Sequence, residues 1–290
     1  MAKAVKKFAN ADAFRISLEE RLGTLALKEG IDVQRLRRQL SFDRFLARMA
    51  GQGKDRWALK GGYALELRLR WARATKDIDL ARRIHGTKAA GMDLILEELQ
   101  SAAAADLGDY FAFRLGRPVM ELQNAPFGGA RFPVEARMAG RRFAEFHVDV
   151  AQGDVEMTPL DWIEERDWLA FAGISPAKVP AIPREQHFAE KLHAYTFVRQ
   201  GRENTRVRDL VDMVLLIDRC GLHPGRLAEA VDQTFQRRRT HDLPPALPEP
   251  PAAWAGPFAA LAGECGITLD LRLAFEHIRN FCMNTGLFGR

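Results

Sequence analysis

The chain has 290 residues, 47% hydrophobic and 28% charged, with Lys+Arg 43 against Asp+Glu 38 and a formal net charge of +5. That is ample for a buried core, in one large domain or two ordinary ones, while no apolar run approaches the ~18 residues of a membrane span. Cys220, Cys265 and Cys282 are an odd number without C-x-x-C spacing, which argues against a disulfide framework or a zinc site and for a reducing cytoplasm.

The basic N-terminus MAKAVKKFANADAFR has no apolar core and does not read as a secretory signal. Asp12–Glu29 and Asp32–Met49 read as amphipathic helices. In the second, Val33, Leu36, Leu40 and Leu46 make an approximate apolar stripe, with Arg35, Arg37, Arg38, Arg44 and Arg48 mostly off it. Those arginines are expected on a solvated face; the alternative is a wall that touches RNA phosphates.

Residues 57–80, WALKGGYALELRLRWARATKDIDL, carry the densest signal. Trp57–Lys60 reads as a short strand, Gly61-Gly62 as a turn, Tyr63–Arg70 as a helix with Leu65 and Leu69 on one face, and Asp77–Leu80 as a second strand. Residues i and i+2 of a strand share a side, so Asp77 and Asp79 project together while Ile78 and Leu80 turn inward. Paired carboxylates suit a hard divalent cation. Two glycines ahead of a helix N-terminus let backbone N–H groups approach a phosphate. Thr75 lies two residues before Asp77, so a continuous strand would turn its hydroxyl to the carboxylate side.

Gly86–Leu107 reads as a helix and Asp109–Leu115 as a strand. Arg131–Ala139 and Arg142–Ala151 alternate apolar and polar residues around a Gly140-Arg141 turn, the pattern of a β-hairpin. Asp149 on the returning strand is costly to bury unless paired or bound to metal. It is either bound to metal, a carboxylate at the hairpin end, or a partner of Arg141 or Arg142. His147, on the same face, reads as structural. Thr158–Pro183 reads as an irregular connector.

From Arg184 the pattern is helical. AEKLHAY lies in an expected helix Arg184–Arg199, a basic loop follows with Arg202, Asn204, Thr205 and Arg206, and RDLVD opens the next helix. Phe188, Leu192 and Tyr195 are expected to pack. Lys191 is either a surface lysine or a point charge for a triphosphate. Asp209 is either a helix N-terminal carboxylate or catalytic. Pro224–Arg239 is expected to be helical, its Arg237-Arg238-Arg239 end either solvated or on RNA. Residues 243–251 hold five prolines in nine positions and read as a linker. A last helix, Leu271–Asn280, has Leu271, Leu273, Phe275 and Ile278 as expected core.

Gly61-Gly62 followed by Arg73, Thr75, Asp77 and Asp79 resembles the minimal nucleotidyltransferases of the DNA polymerase beta type. With AEKLHAY…RVRDLVD, the chain resembles more narrowly the AbiEii-like toxins of bacterial toxin–antitoxin and phage-defence systems. The resemblance implies an α/β (α+β) fold with a nucleotidyltransferase lobe, residues 1–160, built on a small mixed sheet. It also implies a C-terminal helical lobe, residues 161–290, closing over the active-site cleft. It implies Asp77, Asp79 and Asp149 as ligands of Mg²⁺ or Mn²⁺, and Lys191 and Asp209 as further catalytic residues. Lys60, Gly61, Gly62, Arg73, Thr75 and Lys191 would bind the NTP. The implied activity is transfer of a nucleotide, often a pyrimidine, to the 3′ end of tRNA in the cytoplasm, with a cognate antitoxin as partner. It further implies that phosphorylation of Thr75 could silence the toxin. Transfer to a protein or small-molecule hydroxyl, or an inert binding module, are the rival readings.

Overall fold

A computed structural model describes residues 8–51, 56–69, 72–83, 90–122, 126–154, 157–197 and 204–288. Its first elements are α1 (Ala11–Glu29), α2 (Val33–Gly51), β1 (Trp57–Lys60), α3 (Gly61–Leu69), β2 (Asp77–Arg82), α4 (Met92–Ala103) and β3 (Phe111–Leu115). Then come β4 (Met120–Glu121), β5 (Gly129–Met138), β6 (Arg141–Gln152), β7 (Asp161–Glu164) and β8 (Lys178–Ala181). The helices α5 (Arg184–Thr196), α6 (Val207–Cys220), α7 (Pro224–Arg238), α8 (Ala255–Glu264) and α9 (Leu271–Asn284) complete it. Arg70, Arg199, Arg202 and the start of the helix expected from Gly86 lie outside the described residues.

The chain forms two compact units from interleaved segments. One takes Met1–Leu59, Lys76–Gly153 and Trp162–Ala181, the other Lys60–Thr75, Asp154–Asp161 and Ile182–Arg290. The first unit is a mixed sheet in the order β3-β5-β6-β2-β1-β8-β7, with β4 paired to β5. The β5–β6 hairpin is antiparallel, whereas β2 runs parallel to β6 and β1 to β8. The hairpin turns at Ala139-Gly140, one residue earlier than the glycine alone suggests. Both turn residues have positive φ, 52° and 70°, the twist that a two-residue hairpin loop requires. Phe132, Val134, Ala136 and Met138 are at most 2% exposed, and α2 and α4 supply the rest of this core, with Phe42 and Phe45 ring to ring against Phe146.

Two expectations fail in this unit. The connector Thr158–Pro183 contains β7 and β8, both strands of the sheet, with Ala181 opposite Leu59. Four-residue strands are too short to show a period, and Pro180 inside β8 disguises it further. The α2 arginines do not share one solvated face. Arg44 Nε donates to Asp109 Oδ2 at 2.8 Å and Arg48 Nη2 to Asp109 Oδ1 at 2.7 Å, all three side chains buried. Burial alone would push the Asp109 carboxyl up, but the two guanidiniums hold it below its ordinary value. Asp109→Ala should therefore cost about 3–5 kcal/mol, because it leaves buried cations uncompensated. Denaturant unfolding measures this, and a loss under about 1 kcal/mol would contradict the pairing.

The second unit is helical. Phe188, Leu192 and Tyr195 are buried as expected and join Val214, Leu227, Phe258 and Ile278 in one core. Residues 243–251 are no free linker: Leu247 is 4% exposed, and Tyr195 Oη donates to the Pro248 carbonyl at 2.7 Å. In α9, Phe275 and Ile278 are buried, but Leu273 is 40% exposed. Arg238 is neither solvated nor free for RNA. It pairs at 2.9 Å with Asp154 and at 3.4 Å with Glu190.

Candidate active site

In the first unit, β2 and β6 run in parallel register, Asp77 beside His147 and Asp79 beside Asp149. Strand parity turns these four side chains to one face, and Ile78, Val148 and Val150 to the core, each fully buried. Asp149 pairs with neither Arg141 nor Arg142. Its partner is Arg131 on β5, directly opposite in the ladder. Arg131 Nε donates to Asp149 Oδ1 at 2.7 Å and Nη2 to Oδ2 at 2.8 Å, with a longer bond of 3.3 Å to Asp77 Oδ2. These bonds raise the guanidinium pKa above its ordinary value. His147 Nδ1 stands 3.4 Å from Asp77 Oδ1. Among the described residues no three His, Cys, Asp or Glu side chains converge as a metal-ligand set; the cation on Asp149 is Arg131.

In the second unit, Gly61 opens α3 with φ +64°, a conformation favourable only to glycine. A Cβ on Gly62 would stand 3.0 Å from Thr75 Oγ1 and 3.4 Å from Arg73 Nη2. The missing side chain therefore lets Thr75 and Arg73 close on the first turn of α3. Thr75 is not part of β2, which begins at Asp77 after a bend at Lys76, so the parity argument for its hydroxyl does not apply.

Lys191 is no surface lysine. Its Nζ lies 3.0 Å from Asp209 Oδ1 and 2.8 Å from Asp212 Oδ2. Arg73 grips the same Asp212 with two bonds of 2.9 Å. Burial would raise Asp212, yet Lys191 and Arg73 hold it at about 2. Burial would lower Lys191, yet Asp209 and Asp212 raise it above its ordinary value. Lys191 and Asp212 are thus both ionised at neutral pH. Lys60 sits in a separate buried set, 2.6 Å from Asp154 and 2.9 Å from Glu190. Asp212, Arg131 and the Lys60 partners escaped the sequence reading. Asp212 carried a signal, being the second acid of the RDLVD segment three residues after Asp209.

His193 gives this unit a pH response. Burial, with Arg238 and His241 nearby, pushes it down to about 3, and its Nε2 meets Thr240 Oγ1 at 2.9 Å. The folded state then binds fewer protons than the unfolded chain, whose histidine titrates near 6.5. Stability is full above that value and is lost as pH falls from about 6.5 towards 3, by no more than about 1.4 kcal/mol per pH unit. Melting at pH 7.5 and 5.0 should differ, and less so in His193→Gln; an equal difference in both would exclude the residue.

The family model described as nucleotidyl transferase AbiEii toxin, type IV toxin–antitoxin system, matches residues 44–280. No curated protein sequence matches significantly. Among solved structures the chain is similar to MenT4, a nucleotidyltransferase toxin of Mycobacterium tuberculosis, at 17% identity and TM-score 0.55, covering 93% of this chain and 99% of that one. JHP933 of Helicobacter pylori matches at 13% identity and TM-score 0.46, over 88% of this chain and 98% of that one. With most of its length, both glycines, the β2 carboxylates and the Lys191–Asp209 pair inside the matched span, the chain belongs to the AbiEii family of nucleotidyltransferase toxins.

Proposed function

We propose that this toxin transfers a nucleoside monophosphate, from a pyrimidine triphosphate, to the 3′ end of tRNA and so blocks translation, with a cognate antitoxin restraining it. The supporting observation is the parallel register that sets Asp79 beside Asp149 with Asp77 on the same face, in a chain of nucleotidyltransferase family. The donor set fits a hard divalent cation such as Mg²⁺, since Asp77 and Asp79 offer only oxygen ligands. Asp149 can join them once Arg131 turns away. Such an ion supplies charge stabilisation and a more acidic acceptor hydroxyl. Lys191 and Arg73 would take the phosphates, and the Gly61-Gly62 backbone would add N–H donors. Asp209 would hold Lys191 in place from the next helix.

Purified protein with each labelled NTP, Mg²⁺ and total RNA, resolved afterwards into RNA and protein, tests the reading. Label on tRNA supports it, and label on protein or on nothing overturns it.

Thr75 bears on regulation. A phosphate there would add about −1.5 to −2 charge beside Arg73 and the Gly62 turn, competing with the triphosphate for the same donors. Thr75→Glu should cut transfer at least about 100-fold with melting little changed, and Thr75→Ser should stay active. Full transfer by Thr75→Glu would defeat this.

A further inference from the structure

A pocket of about 800 Å³ in the first unit has Asp77 in its wall together with Arg38, Lys76, Arg114 and Arg131. Several arginines elsewhere in this unit are answered by carboxylates: Arg37 by Glu19, Arg44 and Arg48 by Asp109, Arg82 by Glu98. Arg38, Lys76 and Arg114 make no ion pair or side-chain hydrogen bond among the described residues, and Arg38 Nε is buried with no partner. The acids of the same wall are already engaged, Glu135 with Arg137 at 2.5 Å and Glu145 with Arg142 at 2.6 Å. Three uncompensated cations in one concavity focus a positive field.

The three come from α2, from the bend before β2 and from the edge strand β3. β3 and β2 lie three places apart in the sheet, about 14 Å at ordinary strand spacing. Cations on elements spread this far along one wall match several successive phosphates better than one compact triphosphate.

We propose that this pocket is the acceptor track, in which Arg38, Lys76 and Arg114 hold the phosphodiester backbone of single-stranded RNA and bring its 3′ end to Asp77. The inference rests on RNA being the acceptor. It assigns the RNA to residues distinct from those proposed for the NTP. One arginine of the α2 set, Arg38, thereby takes the RNA role that Arg44 and Arg48 cannot.

The test reads binding separately from transfer. Anisotropy of a 5′-labelled single-stranded RNA oligonucleotide, without NTP or metal, is measured for wild type, Arg38→Ala and the double variant Lys76→Ala/Arg114→Ala. Lys76 and Arg114 are exposed, so the double variant should fold normally. Its Kd should rise at least about 10-fold, and the slope of log K against log salt should shrink by about 1.4, near 0.7 per lost single-strand contact. In transfer assays KM for RNA should rise while KM for NTP stays. Unchanged affinity and salt slope, a rise confined to the NTP, or a wild type that does not bind the oligonucleotide would each overturn the track. Weakened RNA binding in a protein that adds no nucleotide to RNA would keep the phosphate contacts of these residues but overturn their role as an acceptor track, together with the transfer.

Discussion

Asp77→Asn is expected to lower nucleotide transfer by about 10³-fold or more while leaving the protein folded. The substitution keeps size and shape but removes one of two negative charges on the β2 face, and charge stabilisation by a divalent ion is worth several kcal/mol in such chemistry. Asp77 is half-exposed and stands at the long end of the Arg131 fork, 3.3 Å away, with His147 at 3.4 Å. The amide keeps the size and hydrogen-bonding shape of the carboxylate, and Ile78 and Leu80 still fill the core. Asp149→Asn makes the contrast. It would free a guanidinium now held by two bonds of 2.7 and 2.8 Å and should destabilise the hairpin as well as slow transfer. Melting and turnover of both variants decide the matter, and an Asp77→Asn protein with normal transfer would remove β2 from the chemistry.

What the sequence could disclose follows from how local each cause is. The β5–β6 hairpin was legible because its alternation is a period of two over ten residues and its turn carries a glycine. The parallel pairing of β2 with β6 was reachable only through family resemblance, since nothing local in either strand names its neighbour. Arg131 shows the limit most clearly. The Ala139-Gly140 turn sets Met138 against Arg141, and carrying that register down the ladder would leave Arg131 opposite Val148. An irregularity between Ala136 and Arg137 shifts the pairing by one and brings Arg131 against Asp149 instead. A one-residue slip reverses which side chains meet, and no residue at the bulge announces it. The buried pairs of Arg44, Arg48 and Arg238 were missed for a related reason. A charged residue off an apolar stripe reads as solvated unless the distant acid that answers it is known.

Lys191→Ala tests whether the second unit's cluster is structural or takes part in the reaction. The ammonium lies between Asp209 and Asp212 at 3.0 and 2.8 Å, so its removal touches both. Asp212 keeps two bonds from Arg73, whereas Asp209, among the described residues, keeps Arg206 at 3.6 Å. Breaking an isolated buried pair costs about 3–5 kcal/mol; with Arg73 still on Asp212, the loss here should be nearer about 1–3. A surface lysine would cost almost nothing, so melting alone separates those two cases. Phosphate contact adds a second, independent loss. A charged hydrogen bond worth about 1.5–3 kcal/mol corresponds to about 10- to 150-fold in the KM for NTP or in kcat/KM. Asp209→Ala completes the set, because its carboxylate is spent on Lys191. A simple N-terminal cap would cost about 0.5–2 kcal/mol with turnover kept, whereas a member of the reacting cluster loses turnover. Assays run well below each variant's melting temperature keep folding out of the comparison. If both folded variants transfer nucleotide at the wild-type rate, the Lys191–Asp209–Asp212–Arg73 cluster holds the helices together and has no part in the reaction.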